Sequence, residues 1–401
     1  MIKVAFLLTG PPEAWLGGLN YFRSLLGALE TVEDRQIEPI LLTDRRHGEA
    51  WSRHFPGKRR FSTSLLERWT PAWILRKGIQ TLGGRDLLLQ RRLRALGISC
   101  LSHSGSLGRA SAIKTLGWIP DFQHVHLPEC FSAEEVRKRD AAFLAICREC
   151  DRVIVSSEAA GGDLVAFCPL AAERIRVLHF VPCIPSLEDL PALETLQRTY
   201  GFEGPYFHLP NQFWAHKNHA AVIEALRILR EEGRPALVLA TGSTRDYRNP
   251  GHFEALMAQA REAGVEGDFR VLGVVPFLDM LGLMRCSTAL INPSRFEGWS
   301  TTVEEARRLG SGALLSDLPV HREQAIPGAS YFPPEDPAAL ARLMRERLEL
   351  LPCGPRAVGE ERSFQAFGEA YQSLVLELVS EGSADPALAF SQPSRKQVPP
   401  K

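Results

Sequence analysis

Ile291-Asn292-Pro293-Ser294-Arg295-Phe296-Glu297-Gly298-Trp299-Ser300-Thr301-Thr302-Val303-Glu304-Glu305-Ala306 reads as the end of a buried strand, a polar loop containing a glycine, and a helix beginning near Thr302. The first backbone N–H groups of a helix have no partner within it and carry the positive end of its dipole, so such a turn suits a phosphate. Ser300, Thr301 and Thr302 are its candidate phosphate-binding residues. Glu297 in the loop and Glu305 in the helix flank the turn with carboxylates, which accept hydrogen bonds from sugar or ribose hydroxyls. Thr301-x-x-Glu304 and Thr302-x-x-Glu305 also have the spacing of a capping box, in which the glutamate only returns to the backbone. We assign the cap to Glu304 and leave Glu305 for a ligand.

Strands and helices alternate on both sides of this turn. Strands are predicted at 206–210, 236–240, 269–273, 289–291 and 313–315, separated by helices near 218–232, 253–263, 278–284 and 302–309 and followed by one at 337–350. Strands alternating with helices imply a parallel sheet covered on both faces. The N-terminal half repeats the pattern less cleanly, with strands at 4–8, 39–42, 99–102 and 152–155 and a poorly periodic insertion between Arg45 and Arg94. Two prolines and lost periodicity around Phe180-Val181-Pro182-Cys183-Ile184-Pro185 mark a linker. The expected organisation is one Rossmann-like domain over 1–180, a second over 204–360, a helix over 361–380 and a disordered tail over 381–401. Sheets of this kind bind ligands at the carboxyl ends of their strands, so two facing domains leave a deep cleft between them.

A second anion site is predicted at Asn211-Gln212-Phe213-Trp214-Ala215-His216-Lys217-Asn218-His219, where Lys217 stands just before a helix start. His216 and His219 have no acidic partner at metal-ligand spacing, and no Asp-x-Asp occurs in the chain. After the first strand, Trp15-Leu16-Gly17-Gly18-Leu19-Asn20-Tyr21 reads as a loop leading into an amphipathic helix; Gly17 and Gly18 would let the backbone approach phosphate closely.

The Glu297-to-Ala306 segment resembles the Glu-x7-Glu motif of retaining GT-B glycosyltransferases of family 4 (group 1), matched here by Phe296-Glu297-Gly298 and Glu305-Ala306. The likeness extends through Gly310 and Ser316-Asp317-Leu318-Pro319-Val320-His321-Arg322-Glu323 to Phe332-Pro333. It implies that Glu297 contacts the donor sugar and Glu305 the ribose of the nucleotide. It also implies a diphosphate clamp in which Lys217 matches the family lysine, while the family arginine falls on Gln212, which carries no charge. Ile119-Pro120-Asp121-Phe122-Gln123-His124-Val125-His126-Leu127-Pro128-Glu129 is similar to a family stretch in which His-Asp precedes Pro-Glu. Asp121 and Pro128-Glu129 align, but the family histidine falls on Pro120, leaving His126 or His124 to hold a hydroxyl. The implied fold is GT-B: two Rossmann-like α/β domains, the first on the acceptor side and the second on the donor side, with a C-terminal helix returning toward the first.

The formal net charge of the 401 residues is zero, which gives no sign of a nucleic-acid partner. No apolar run approaches the ~20 residues of a membrane span, and the initial Met1–Leu8 run ends at Thr9-Gly10-Pro11-Pro12. A cytoplasmic protein is expected. Eight scattered cysteines do not form a disulfide framework, and Cys147 and Cys150 read as ordinary helical thiols rather than a metal site. Residues 45–94 hold thirteen Lys and Arg against Glu49, Glu67 and Asp86, interleaved with Trp51, Trp69 and Trp73. They read equally as a contact with the inner face of the cell membrane or a lipid-phosphate acceptor, and as a solvated helix pair packing its tryptophans inward.

The resulting expectation is a metal-independent, cofactor-free hexosyltransferase of polysaccharide biosynthesis. It moves a sugar from a nucleotide-diphosphate donor to a glycan or lipid-linked acceptor with retention, Lys217 stabilising the departing diphosphate. Lys217→Ala is expected to lower turnover far more than stability. A nucleotide-sugar 2-epimerase of the same fold and a non-catalytic nucleotide-sugar-binding protein are the alternatives.

Overall fold

The computed structural model describes residues 1–12, 16–105, 107, 108, 111, 113–350 and 363–381. Trp15 of the glycine loop, Cys353, positions 351–362 and the tail from 382 onward lie outside the described residues.

The first sheet contains β1 (Ile2–Leu8), β2 (Ile37–Thr43), β3 (Arg59–Ser62), β4 (Cys100–Ser102), β5 (Lys114–Trp118), β6 (Arg152–Val155) and β7 (Ile175–Val177). Their order is β3-β2-β1-β4-β5-β6-β7, and every pairing is parallel. The second sheet contains β8 (Tyr206–Leu209), β9 (Leu237–Thr241), β10 (Phe269–Gly273), β11 (Leu290–Asn292), β12 (Ala313–Ser316) and β13 (Ser330–Phe332). It is parallel throughout, in the order β10-β9-β8-β11-β12-β13. Each sheet runs outward from its first strand and then reverses, which is the Rossmann arrangement. Helices cover both faces of such a sheet, so its central strands are buried on either side: Val4, Ala5 and Phe6 of β1 and Val238, Leu239 and Ala240 of β9 are fully buried.

No helix or strand occurs between 178 and 186, where the chain passes from one sheet to the next. The last helix, Phe364–Ser380, returns to the first domain. There Phe367, Tyr371, Val375 and Leu378 join one core with Val4, Phe6, Phe22 and Leu25. The Tyr371 hydroxyl donates to Ser102 Oγ (2.7 Å), and Gln372 Nε2 donates to Asp34 O (2.9 Å).

Three expectations are corrected. Residues 45–94 are not an insertion outside the sheet: they contain β3, in register with Ile40–Thr43 of β2, as well as helices Gly48–His54, Pro71–Gly83 and Leu87–Ala95. Gly17 and Gly18 do not lie in a loop ahead of a helix but inside the first turn of helix Leu16–Ala28. Glu304 closes no capping box: the helix is Thr301–Leu309, its N-cap Ser300 makes no side-chain cap bond, and Glu304 instead meets Gln324 Nε2 (3.1 Å) and Arg307 Nε (3.3 Å).

Candidate functional site

The second sheet reverses direction between β8 and β11, and the loops leaving those two strands deliver the central pair of the site. After β8 the chain forms a short 3-10 turn, Ala215–Lys217. Asn218 follows in the left-handed conformation (φ 56°), where asparagine is among the few favoured residues other than glycine. Its amide holds that conformation by donating to Pro293 O (3.1 Å) and Pro334 O (2.8 Å) before helix His219–Glu231 begins. After β11, Arg295 N donates to His216 O (2.8 Å), joining the two loops. Lys217 Nζ consequently lies 2.5 Å from Glu297 Oε1. Ser294 Oγ sits 2.7 Å from both Glu297 Oε1 and Asn292 Oδ1.

Burial alone would raise the Glu297 carboxyl, but the charge and hydrogen bond of Lys217, with His321 and His216 beyond, outweigh it and hold the group down at about 2. His216 is depressed to about 3, first by burial and then by Lys217. His219, the other histidine of this stretch, is fully buried and stacks on Phe213 with ring centroids 4.2 Å apart. Glu305 behaves differently. It is 5% exposed, and its carboxyl makes no hydrogen bond or ion pair among the described residues. Burial pushes it up to about 8. Buried polar groups are almost always satisfied within the protein or by what it binds, so an unpartnered carboxyl one helical turn below Thr301 and Thr302 has the character of a ligand contact.

Gly17, Asp121, Gln212, Lys217, Glu297, Ser300, Thr301 and Thr302 all line one interdomain cleft of about 1070 Å³. Gly18, Glu305, His124 and His126 are not part of that lining. Gly18 is buried in its helix. His124 is fully enclosed, with Nε2 3.1 Å from Asp140 Oδ1 and the ring edge-on to Phe143. His126 is occupied by Asp163 Oδ1 (2.8 Å) and stacks on Phe296, centroids 5.0 Å apart. His124 packs inside the first domain, while His126, about half exposed, packs against the loop that carries Glu297.

The sequence reading did not single out the segment after β9. Ser243, Thr244, Arg245, Asp246, Tyr247 and Arg248 line the cleft beside Gln212. The Arg248 guanidinium lies over Phe131 of the first domain (4.2 Å to the ring centroid) and over Trp214 of the second (5.4 Å). Arg139, also lining the cleft, pairs with Asp121 (3.6 Å). Arg245 is exposed, and its side chain has no partner among the described residues. A basic residue soon after a strand end is a common pattern, so only its position in the cleft distinguishes it.

The Glu297 loop is clamped onto the first domain. Ser157 Oγ donates to Gly298 O (2.9 Å), and Trp299 Nε1 donates to Phe180 O (3.0 Å). Glu323 accepts from Glu158 N (2.7 Å) and Ala159 N (3.2 Å), capping a helix of the opposite domain, and takes His179 Nε2 at 2.6 Å. Position 298 has no room for a side chain: a Cβ there would lie 2.4 Å from Pro120 O and 2.7 Å from Asp121 Cβ. Gly298→Ala is therefore expected to separate these two loops and destabilise the protein by about 1–3 kcal/mol. A thermal melt identical to that of the parent chain would show that the loops are not held together here.

Residues 203–352 match the family model described as "Glycosyl transferases group 1". The fold is similar to that of a glycosyltransferase from Rickettsia africae, at 13% identity over 96% of this chain and 99% of that chain, with a TM-score of 0.64. It is similar to Anabaena HepE in complex with UDP-glucose, at 16% identity over 96% and 98% of the two chains, TM-score 0.61. A sucrose-phosphate synthase from Thermosynechococcus elongatus shares it at 14% identity over 94% and 95%, TM-score 0.59. At these identities the likeness establishes the fold, which is GT-B. A comparison with curated protein sequences finds no match.

Proposed function

We propose that this chain transfers a hexose from a nucleoside-diphosphate sugar to a glycan or lipid-linked acceptor, in the cytoplasm, with retention and without a metal ion. The observation that carries the reading is the unpartnered buried carboxyl of Glu305 beneath a cleft that holds the Lys217–Glu297 pair at the sheet's reversal point. Ribose hydroxyls would satisfy Glu305, and donor-sugar hydroxyls would reach Glu297. The first N–H groups of helix Thr301–Leu309 and the Lys217 ammonium would face the diphosphate. As the bond from the sugar to the diphosphate breaks, negative charge collects on the leaving oxygens. Fixed cations stabilise that charge more in the transition state than in the bound donor. The acceptor oxygen takes the sugar, and its proton passes to the diphosphate.

Family-type clamping would need an arginine where Gln212 stands. Lys217 is already engaged by Glu297, and Arg245 is the cleft cation without a partner among the described residues, so we assign it the second phosphate contact. Arg245→Ala is expected to raise the KM for donor about tenfold, the size of one lost charge-assisted hydrogen bond, with the melting temperature unchanged. An unaltered KM would remove Arg245 from the site.

The reading as a whole is tested with UDP-, GDP-, ADP- and dTDP-sugars. UDP-glucose comes first, because the similar HepE structure holds it. One base is expected to raise the melting temperature and, without acceptor, to release nucleoside diphosphate slowly. Binding without any release would instead support a non-catalytic nucleotide-sugar-binding protein, and a new sugar nucleotide formed without acceptor would support an epimerase.

A further inference from the structure

Helix Pro71–Gly83 turns large apolar side chains outward and a charge inward. A helix on the surface of a water-soluble protein turns its apolar stripe to the core and its charges to solvent. Here the one buried position is Arg76. Its guanidinium bonds Asp86 Oδ2 (2.7 Å from Nε) and Leu65 O (2.9 Å from Nη1). Trp73 and Ile79 are half-buried beside it, but three large apolar residues point the other way: Ile74 is 54% exposed, Leu75 59% and Leu82 92%. Positions 74, 75, 78 and 82 follow helical spacing, so these side chains and Gly78 share one face. The preceding turn presents Trp69, 79% exposed, in a left-handed conformation (φ 69°) that a bulky residue rarely adopts. Thr70 Oγ1 holds that turn by donating to Glu67 O (2.8 Å), with Ser64 O also within 3.0 Å, and by accepting from Trp73 N (3.2 Å). Five of the thirteen exposed large apolar side chains among the described residues fall between Trp69 and Leu87.

The charge around this face identifies what covers it. Arg68 and Arg85, at its two ends, are exposed and have no carboxylate partner among the described residues. Neither do Arg91 and Arg94 on the next helix. Exposed apolar residues rimmed by unpaired cations fit a surface that is oily beneath and negative above, as an anionic phospholipid layer is. Among the described residues the helix packs chiefly on residues 64–66 and on helix Leu87–Ala95. No described helix is long and apolar enough to cross a membrane, so the contact lies along the surface. We propose that the Trp69–Leu87 face docks the protein on anionic phospholipid bilayers, Trp69, Ile74, Leu75 and Leu82 entering the interface. The turn bearing Trp69 leaves the carboxyl end of β3, the side of the sheet that faces the cleft, so docking would bring an acceptor embedded in the bilayer toward the catalytic side.

This inference stands apart from the transferase reading, since it needs no turnover. The full chain is mixed with vesicles of phosphatidylcholine alone or with about one-third phosphatidylglycerol, and sedimented. Binding is expected to the anionic vesicles, to weaken in high salt, and to blue-shift the tryptophan emission by an amount that Trp69→Phe reduces. In Leu75→Glu/Leu82→Glu, binding should fall at least tenfold, as expected from two charged groups on the inserted face, while the melting temperature holds because both side chains are exposed. Equal binding by the two proteins, or none by the parent chain, overturns the proposal. So does a dimer in sedimentation equilibrium that the double variant turns into a monomer, because a second copy would then cover the face.

Discussion

Lys217→Ala is expected to cut turnover of the sugar nucleotide by about two to three orders of magnitude, the effect of deleting one preorganised group that meets developing charge. The structure changes what accompanies that loss. With the amine gone, Glu297 would sit at 10% side-chain exposure with no cation paired to it, Ser294 Oγ being its remaining hydrogen-bond partner among the described residues. A buried carboxylate stripped of its cation destabilises a protein by on the order of 3 kcal/mol, so this variant should melt early as well as turn over slowly, contrary to the expectation from sequence. Lys217→Ala/Glu297→Gln isolates the stability effect: the neutral amide needs no counter-ion, so thermal stability should return, while turnover stays low because the amine and the sugar-binding carboxylate are both gone. The pH dependence follows from the sign of the shift. Glu297 is held at about 2, below its ordinary 4.5. The pair therefore stabilises the fold fully above 4.5, and that contribution fades as pH falls toward 2. The double variant should lack the decline. Parent-level turnover in the double variant would take the phosphate role away from Lys217.

Glu305 gives the second large effect, with the opposite sign. Its carboxyl is pushed up from 4.5 to about 8 by burial alone. In the empty protein it is protonated at neutral pH, and ionising it costs stability. That part of the stability is complete below 4.5 and is lost as pH rises through about 8. Glu305→Gln should match the parent at low pH and exceed it in melting temperature above pH ~8. Donor binding should run the other way. Ribose hydroxyls donate, and they bind carboxylate better than carboxylic acid, so affinity in the parent should climb between pH ~6 and ~9 with proton release on binding. In Glu305→Gln the profile should be flat and the affinity about ten- to a hundredfold lower at the alkaline end, one or two hydrogen bonds to a charged group being lost. Calorimetry in two buffers of different ionisation enthalpy measures the proton directly. Affinity that is level or falling across this window would mean that Glu305 does not touch the nucleotide.

Most of the strands legible in the sequence lie inside a sheet, edge strand β10 being the exception. Central β9 and β12 are buried on both faces and read as short apolar runs. The strands that escaped, β3, β7 and β13, are sheet edges, where one side meets solvent; β3 even begins with two arginines. β5 is interior but contains Gly117, which looks like a break. The glycine is needed because a Cβ there would come within 2.6 Å of Ile146 Cγ2 on the covering helix. The site divides in the same way. Glu297, Lys217 and the Ser300–Thr302 turn are fixed by the strand end just before each, so local pattern located them. His124 and His126 are decided by Asp140 and Asp163, sixteen and thirty-seven positions away, which no local pattern reveals. Arg245 became visible only once the loops after β8 and β9 were seen to share a wall.

Helix Phe364–Ser380 has a consequence for how the chain is made. Its Phe367, Tyr371, Val375 and Leu378 fill the hydrophobic centre of the domain whose strands begin at Ile2. Until the segment near residue 380 has cleared the ribosome, that centre stays open to water on one side. The half translated first is thus the half completed last, after the intervening sheet has been synthesised and can already have closed.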